Sequence, residues 1–283
     1  MHLPIACPFA SLTYALAESD SLKRLFKRQL TLHQSSPEAP WNIILYTDEV
    51  TPGNPLATAN QRRFHAVYWS LAELGTDALS HEESWFVLMT EFSPTVNCVK
   101  GGLSAVFAAL IKTFFKEGAD MRRGGISIEL GEDDVRKLFA LTSIVLQDGG
   151  PHKYVWGARG DGASKFCMLC KNLFTKDSEM VDEDGTNLLR CDVIKVAGLV
   201  PSSSRELRLN MRYLEQESIT LSPDEFTKLQ QALGLTYYPH GVLVDRELDD
   251  LLEPTEAYCH DWMHCLFVDG VVNLVISCSL RCV

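Results

Sequence analysis

The sequence predicts an α/β fold, on three observations. Apolar runs rich in β-branched and aromatic residues, bounded by turn residues, recur through the first half of the chain, as buried strands do. One segment, Gly101 to Gly118 (GGLSAVFAALIKTFFKEG), opens on glycines, runs through Ala and Leu, and closes at Lys116 and Gly118, as a helix does. Residues 173 to 255 then turn polar and charged, with helical stretches near Arg205 to Glu217 and Pro223 to Leu233, so they read as a mostly helical insertion.

In chain order, residues 1 to 40 read as a helical lead-in and linker. Leu22, Leu25, Phe26 and Leu30 fall at helical spacing, with Lys23, Arg24, Lys27 and Arg28 opposite, and Ser35 to Pro40 is polar. Trp41 to Leu56, WNIILYTDEVTPGNPL, is the stretch around which the rest is organised. Its apolar start stops on Asp48 and Glu49, and a turn of Pro52, Gly53, Asn54 and Pro55 follows. A buried strand ending this way delivers a carboxylate to a sheet edge on a rigid platform.

Phe64 to Leu74 and Glu83 to Glu91 are further strands, and three strands joined by short turns suggest an antiparallel meander. Gly125 to Leu130 alternates like a strand, and Asp133 to Phe139 reads as a helical turn or two. Leu141 to Leu146 is another β-rich run, ending on Asp148 before Gly149, Gly150 and Pro151. If the two Asp-terminated strands are neighbours, their carboxylates converge.

Size and charge narrow the classes. The chain has 283 residues, 46% hydrophobic, enough for one large domain or two small ones. No apolar run reaches the roughly 18 to 20 residues of a membrane span, and the first residues lack a secretory signal. Nine cysteines without a regular framework point to a reducing compartment, nuclear or cytoplasmic. A net charge of −11 disfavours a stand-alone nucleic-acid binder, and the basic clusters at Lys23–Arg28, Arg122–Arg123 and Arg205–Arg212 read as solvated helix faces.

Two constellations carry chemistry. Asp48 and Asp148 offer the hard oxygen ligands that Mg²⁺ or Mn²⁺ needs for two-metal phosphoryl transfer; each alone also reads as a turn-starting Asp. Cys167-x-x-Cys170 with His260 and His264 can complete a tetrahedral structural Zn²⁺ site, provided the insertion folds back so that a helix carrying both histidines meets the CxxC turn. Asp261, Cys259 or Cys265 can replace one His, and buried thiols with ordinary core histidines are the plainer alternative. Gly157 to Gly162 lacks the Gly-Lys-Ser/Thr ending of a P-loop, so no nucleotide cofactor is expected. Arg62 and Arg63 follow the Asp48 turn and suit either DNA phosphates or a solvated turn.

The chain resembles the catalytic domain of eukaryotic cut-and-paste DNA transposases of the CACTA-like group. The resemblance runs from about Trp41 to Asn273 and rests on LYTDEVTPGNPL at 45 to 56, HAVYWSLAEL at 65 to 74, IVLQDGGPHKYVWGARGDGASKFCMLCKN at 144 to 172 and DWMHCLFVDGVVN at 261 to 273. It implies an RNase H-like fold: a mixed five-stranded sheet with flanking helices and a mostly helical insertion. The expected organisation is a lead-in at 1–40, the core at 41–172, the insertion at 173–255, and a His-bearing helix with a truncated end of the core at 256–283. It also implies an Asp-Asp-Glu triad binding two divalent cations, of which Asp48 and Asp148 match the first two members. Cys167 with Cys170, and Asp261 with His264, match elements associated with structural zinc. The implied partners are DNA, at transposon ends, and a second copy of the chain. The triad's Glu should follow His264, yet no Glu occurs after Glu256. The expectation is therefore a transposase-derived domain that is incomplete or inactive in strand cleavage. The rival is a non-enzymatic, zinc-stabilised interaction protein.

Overall fold

The structure, a computed structural model, describes residues 3–52, 62–116, 118–160, 163–175, 178, 189–190 and 196–260. It begins with α1 (Pro8–Glu18) and α2 (Asp20–Leu32). Ser19 caps α2 by accepting from the Leu22 amide at 3.2 Å, and Leu22, Phe26 and Leu30 turn inward as their spacing predicts. Phe26 meets Trp41 at 6.0 Å between ring centroids, so the lead-in packs on the start of the first strand.

β1 (Trp41–Val50), β2 (Phe64–Leu71) and β3 (Phe86–Phe92) form the antiparallel meander. The short helices α3 (Thr76–Leu79) and α4 (Ser93–Asn97) flank β3 in sequence. Along β1, Ile43, Leu45 and Thr47 point to one face and are almost fully buried. Their cross-strand partners Leu71, Trp69 and Val67 are buried with them. α5 (Gly102–Lys112) lies over this face. Its Leu103, Val106, Phe107, Leu110 and Ile111 make one buried stripe, and Phe114 just beyond meets Trp69 edge-on at 5.2 Å.

β4 (Ile126–Gly131) and β5 (Asp134–Leu138) form a separate hairpin. The helical turn expected at Asp133 to Phe139 is thus a strand. Inward and outward residues alternate along it, Val135 is left exposed, and β4 supplies the backbone partners. β6 (Ala140–Gln147) then enters the main sheet parallel to β1. α6 (Gly149–Trp156) starts at once and lies beside α5, where Ser104 Oγ donates to the Val155 carbonyl at 2.6 Å.

Gly157 ends α6 in the left-handed region (φ +67°), and its carbonyl accepts from the Thr236 amide at 2.6 Å. A Cβ there would stand 2.5 Å from the Thr236 oxygen, so glycine alone permits this close crossing. β7 (Leu173–Phe174) and β8 (Leu189–Arg190) are a two-residue parallel pair. α7 (Ser204–Glu217) and α8 (Pro223–Leu233) each begin with a capping box, Ser203 with Glu206 and Ser222 with Glu225. Arg208 of α7 is buried and donates to the carbonyls of Leu248 and Leu252, and Leu207, Met211 and Leu214 join the common core.

α9 (Pro254–Ala257) leads into β9 (Tyr258–His260), which pairs parallel with β6. The main sheet therefore reads β3-β2-β1-β6-β9: an antiparallel meander on one side, parallel strands on the other. This is an α/β architecture with a mixed five-stranded sheet. Among the described residues, no helix is long and apolar enough to cross a membrane.

Candidate metal centre and adjoining cleft

The parallel pairing of β1 with β6 runs Ile44 to Ile144, Tyr46 to Leu146 and Thr47 to Gln147. One residue further in the same direction stand Asp48 and Asp148. The Asp148 backbone is still extended (φ −76°, ψ 178°) before α6 begins. Neighbouring strands lie about 4.8 Å apart, so the two acids are lateral neighbours at the carboxyl ends of two central parallel strands. Alternation puts them on the face of Tyr46 and Leu146, opposite that of Thr47 and Gln147. Both are half-buried. Asp148 is also the N-cap residue of α6, and its Oδ1 lies 3.9 Å from where a Cβ on Gly150 would stand. The positive end of α6 is thus beside the carboxylate.

The opposite face of the same rim carries a second group. Glu49 pairs with His65 across β1 and β2. Its carboxylate accepts from Ser93 Oγ at 2.7 Å and pairs with Arg63 at 3.5 Å. His65 is buried, and its Nδ1 has no hydrogen-bond partner among the described residues. Burial pushes its pKa below the usual histidine range, against the pull of Glu49 and then Asp48. These residues wall a cleft of about 540 Å³ that also takes in the first turns of α5 and α6 and the side chains of Tyr154 and Tyr238.

Of the expected zinc ligands, the described residues include only Cys167, Cys170 and His260. His260 lies on β9, not on a helix, because pairing with Gln147 draws the segment into the sheet. Its ring stands 4.2 Å from that of His152 and 5.0 Å from that of Tyr258. His152 is 1% exposed, and among the described residues its ring nitrogens have the Gln147 backbone as a polar neighbour. Burial first, and the neighbouring His260 second, lower its pKa to about 3, more than the Gln147 backbone offsets. Cys167 and Cys170 are half-buried free thiols at the entrance to α7. There the Lys171 amide donates to Val200 at 2.8 Å, and the Lys171 ammonium pairs with Glu206 at 2.5 Å. Burial, then the hydrogen bond with Cys167, raises the Cys170 thiol to about 11. Asp261, His264 and Cys265 lie outside the described residues. Among the described residues no group of three or more His, Cys, Asp or Glu is placed to hold a metal.

His65 and His152 were not singled out from sequence. For His65 a signal existed: period-two alternation along Phe64–Leu71 puts it on the face of the buried Val67 and Trp69. His152 carries no such mark, because its burial depends on β9, more than 100 residues away.

The chain matches no family model and no curated protein.

Proposed function

We propose that the chain is a transposase-derived domain of the RNase H-like fold, in which Asp48 and Asp148 hold a divalent cation, Mg²⁺ or Mn²⁺, against DNA. The observation that carries this reading is the Thr47-to-Gln147 register, which brings two acids 100 positions apart in sequence to adjacent places on one sheet face. The mixed five-stranded sheet with its central parallel pair suits the same fold.

When bound, the cations would supply activation of a water or a DNA 3′-hydroxyl and neutralise the leaving oxygen of an in-line displacement. The protein's own part is fixed by its strands. β1 and β6 hold the two carboxylates with little freedom, and the first turn of α6 adds partial positive charge where the phosphate would lie. Asp48 and Asp148 match two members of the triad, and two carboxylates by themselves hold a divalent cation weakly. Cys167 and Cys170 suit two of the four ligands of a structural Zn²⁺. Their partners are not among the described residues, so no further role is assigned to that ion.

Mn²⁺ titration followed by electron paramagnetic resonance tests the reading, with plasmid nicking as a second measurement. Millimolar Mn²⁺ binding lost in both Asp48→Ala and Asp148→Ala is expected, with little nicking by the wild type. Binding that survives both substitutions overturns the site. Robust nicking abolished by Asp148→Ala would show that the two carboxylates suffice for cleavage.

A further inference from the structure

The cleft on the Glu49 side of the rim has no part in holding the cation, yet it is built for a ligand. Two helices, α5 with eleven residues and α6 with eight, aim their N-terminal ends into it. The Gly102 amide donates to Val99 at 2.8 Å and Pro151 has no N–H, so Leu103 and Gly150 are the first-turn amides left at the cleft, and together with the macrodipole they favour an anion. Gly101 precedes α5 with φ +92°, and a Cβ there would stand 1.8 Å from the Pro239 carbonyl oxygen. Only glycine lets the two walls approach this closely.

A second, independent feature is His65. Its imidazole is 93% buried by its 7% exposure, lines the cleft, and keeps an Nδ1 with no partner among the described residues. A buried polar atom left so costs stability unless something answers it. Arg63 stands at the mouth, half exposed at 52%. Its ion pair with Glu49 is 3.5 Å long, open to exchange for a phosphate. Tyr154 is 57% exposed on the far wall, and Arg159 acts electrostatically on the neighbouring Tyr238. A helix-end anion site, a cation and an exposed aromatic ring make a combination suited to a nucleotide within a strand.

We infer that this cleft binds one nucleotide of a single DNA strand beside the candidate metal centre: its phosphate at the first turns of α5 and α6 and Arg63, its base against Tyr154. The inference rests on the proposed function and adds where the strand runs. The Glu49 carboxylate is a wall of the same cleft. Ser93 Oγ holds it at 2.7 Å, and the phosphate takes its place as the partner of Arg63.

Fluorescence anisotropy of the full chain with a labelled ten-nucleotide oligothymidylate, in EDTA, tests this without the cation. Tyr154→Ala should weaken binding roughly tenfold and Tyr154→Phe should restore it. Arg63→Gln should lower the slope of log affinity against log salt by about 0.7. An abasic ten-mer should bind more weakly and be indifferent to Tyr154. The exposure of both side chains leaves folding intact, which thermal melts verify. Wild-type affinity in both Tyr154→Ala and Arg63→Gln overturns the inference, as does no binding by the wild type. Equal binding of abasic and thymidylate strands, with inorganic phosphate competing, means an anion site only and also overturns it. The Mn²⁺ titration is read separately. Loss of the cation site with the Tyr154 effect intact rejects the metal centre alone, and the reverse rejects the cleft alone.

Discussion

Neutralising one member of the Asp48–Asp148 pair should make the metal-free protein more stable, not less. Side by side at the ends of neighbouring strands, the two residues have backbones about 4.8 Å apart, and their carboxylates are taken at the same separation. Two unit charges at that distance repel by roughly 0.9 kcal/mol in water, and by about 3.5 kcal/mol at the effective dielectric of 20 that suits pairs near a protein surface. Both residues are half-buried, so a coupling of about 1–2 kcal/mol is expected between those limits. Asn is the right replacement. At position 148 no side-chain cap bond to α6 is lost, since Asp148 makes none, and losing the charge there forfeits only ~0.3–1 kcal/mol of dipole interaction. That loss is common to the single and double variants, so a double-mutant cycle removes it.

The assay is urea unfolding of the wild type, Asp48→Asn, Asp148→Asn and the double variant, in EDTA and again in Mn²⁺. In EDTA the first substitution should relieve the repulsion, and the second should add nothing. In Mn²⁺ the order reverses. A cation at ten times its dissociation constant adds about 1.4 kcal/mol to the wild type and nothing to the variants. Zero coupling in EDTA, with equal Mn²⁺ stabilisation of all four proteins, would refute the reasoning. The carboxylates would then be turn residues that happen to share a rim.

Other outcomes follow from the same structure. His152 is held neutral by burial in the fold but takes up a proton near pH 6.5 when unfolded. Its contribution is complete above that value and is lost as pH falls toward about 3, at up to about 1.4 kcal/mol per pH unit. Urea midpoints measured from pH 7 to 4 should show this slope, and His152→Gln should flatten it. Phe107→Ala removes a fully buried ring of α5 and should cost ~3–5 kcal/mol by urea unfolding. Ser203→Ala breaks the capping box of α7 and should cost about 1 kcal/mol by the same measurement. Gly101→Ala should lower the melting temperature by several degrees, because strain at φ +92° adds to a clash with the Pro239 carbonyl.

What the sequence disclosed and what it hid divide along one physical line. Local patterns were legible. The run at Trp41–Tyr46, the β-branched and aromatic Val67–Trp69, the helix from Gly102 and the caps of α7 and α8 all advertise their conformation within a few residues. Misreadings arose where a distant partner decides. Asp133 to Phe139 has no strong preference of its own and becomes a strand because β4 offers it a ladder. The spacing of His260 and His264 fits one face of a helix, but the three residues Tyr258–His260 gain more from hydrogen bonds to β6 than one helical turn would give. The helix expected to carry His260 is corrected for this reason, while His264 lies outside the described residues. The Asp48–Asp148 adjacency lay between these cases. Each strand end was visible, and only their parallel register had to be supplied by the fold.

That register also bears on the acidic character of the chain. A net charge of −11 opposes DNA in general, and the paired acids at the rim sharpen the opposition locally. The field changes sign over a short distance, however. Behind Asp148 stands the positive end of α6, and across the sheet stand the Arg63 guanidinium and the positive end of α5. On the proposed function a strand would approach along that side, and a divalent cation between the two carboxylates would remove the remaining repulsion. DNA affinity should therefore rise with Mn²⁺ in the wild type and be independent of it in the Asp48→Asn, Asp148→Asn double variant. Without cation the double variant should bind the more tightly. If the wild type binds as tightly in EDTA as in Mn²⁺, the rim acids do not face the strand, and the polarity assigned to this end of the sheet is wrong.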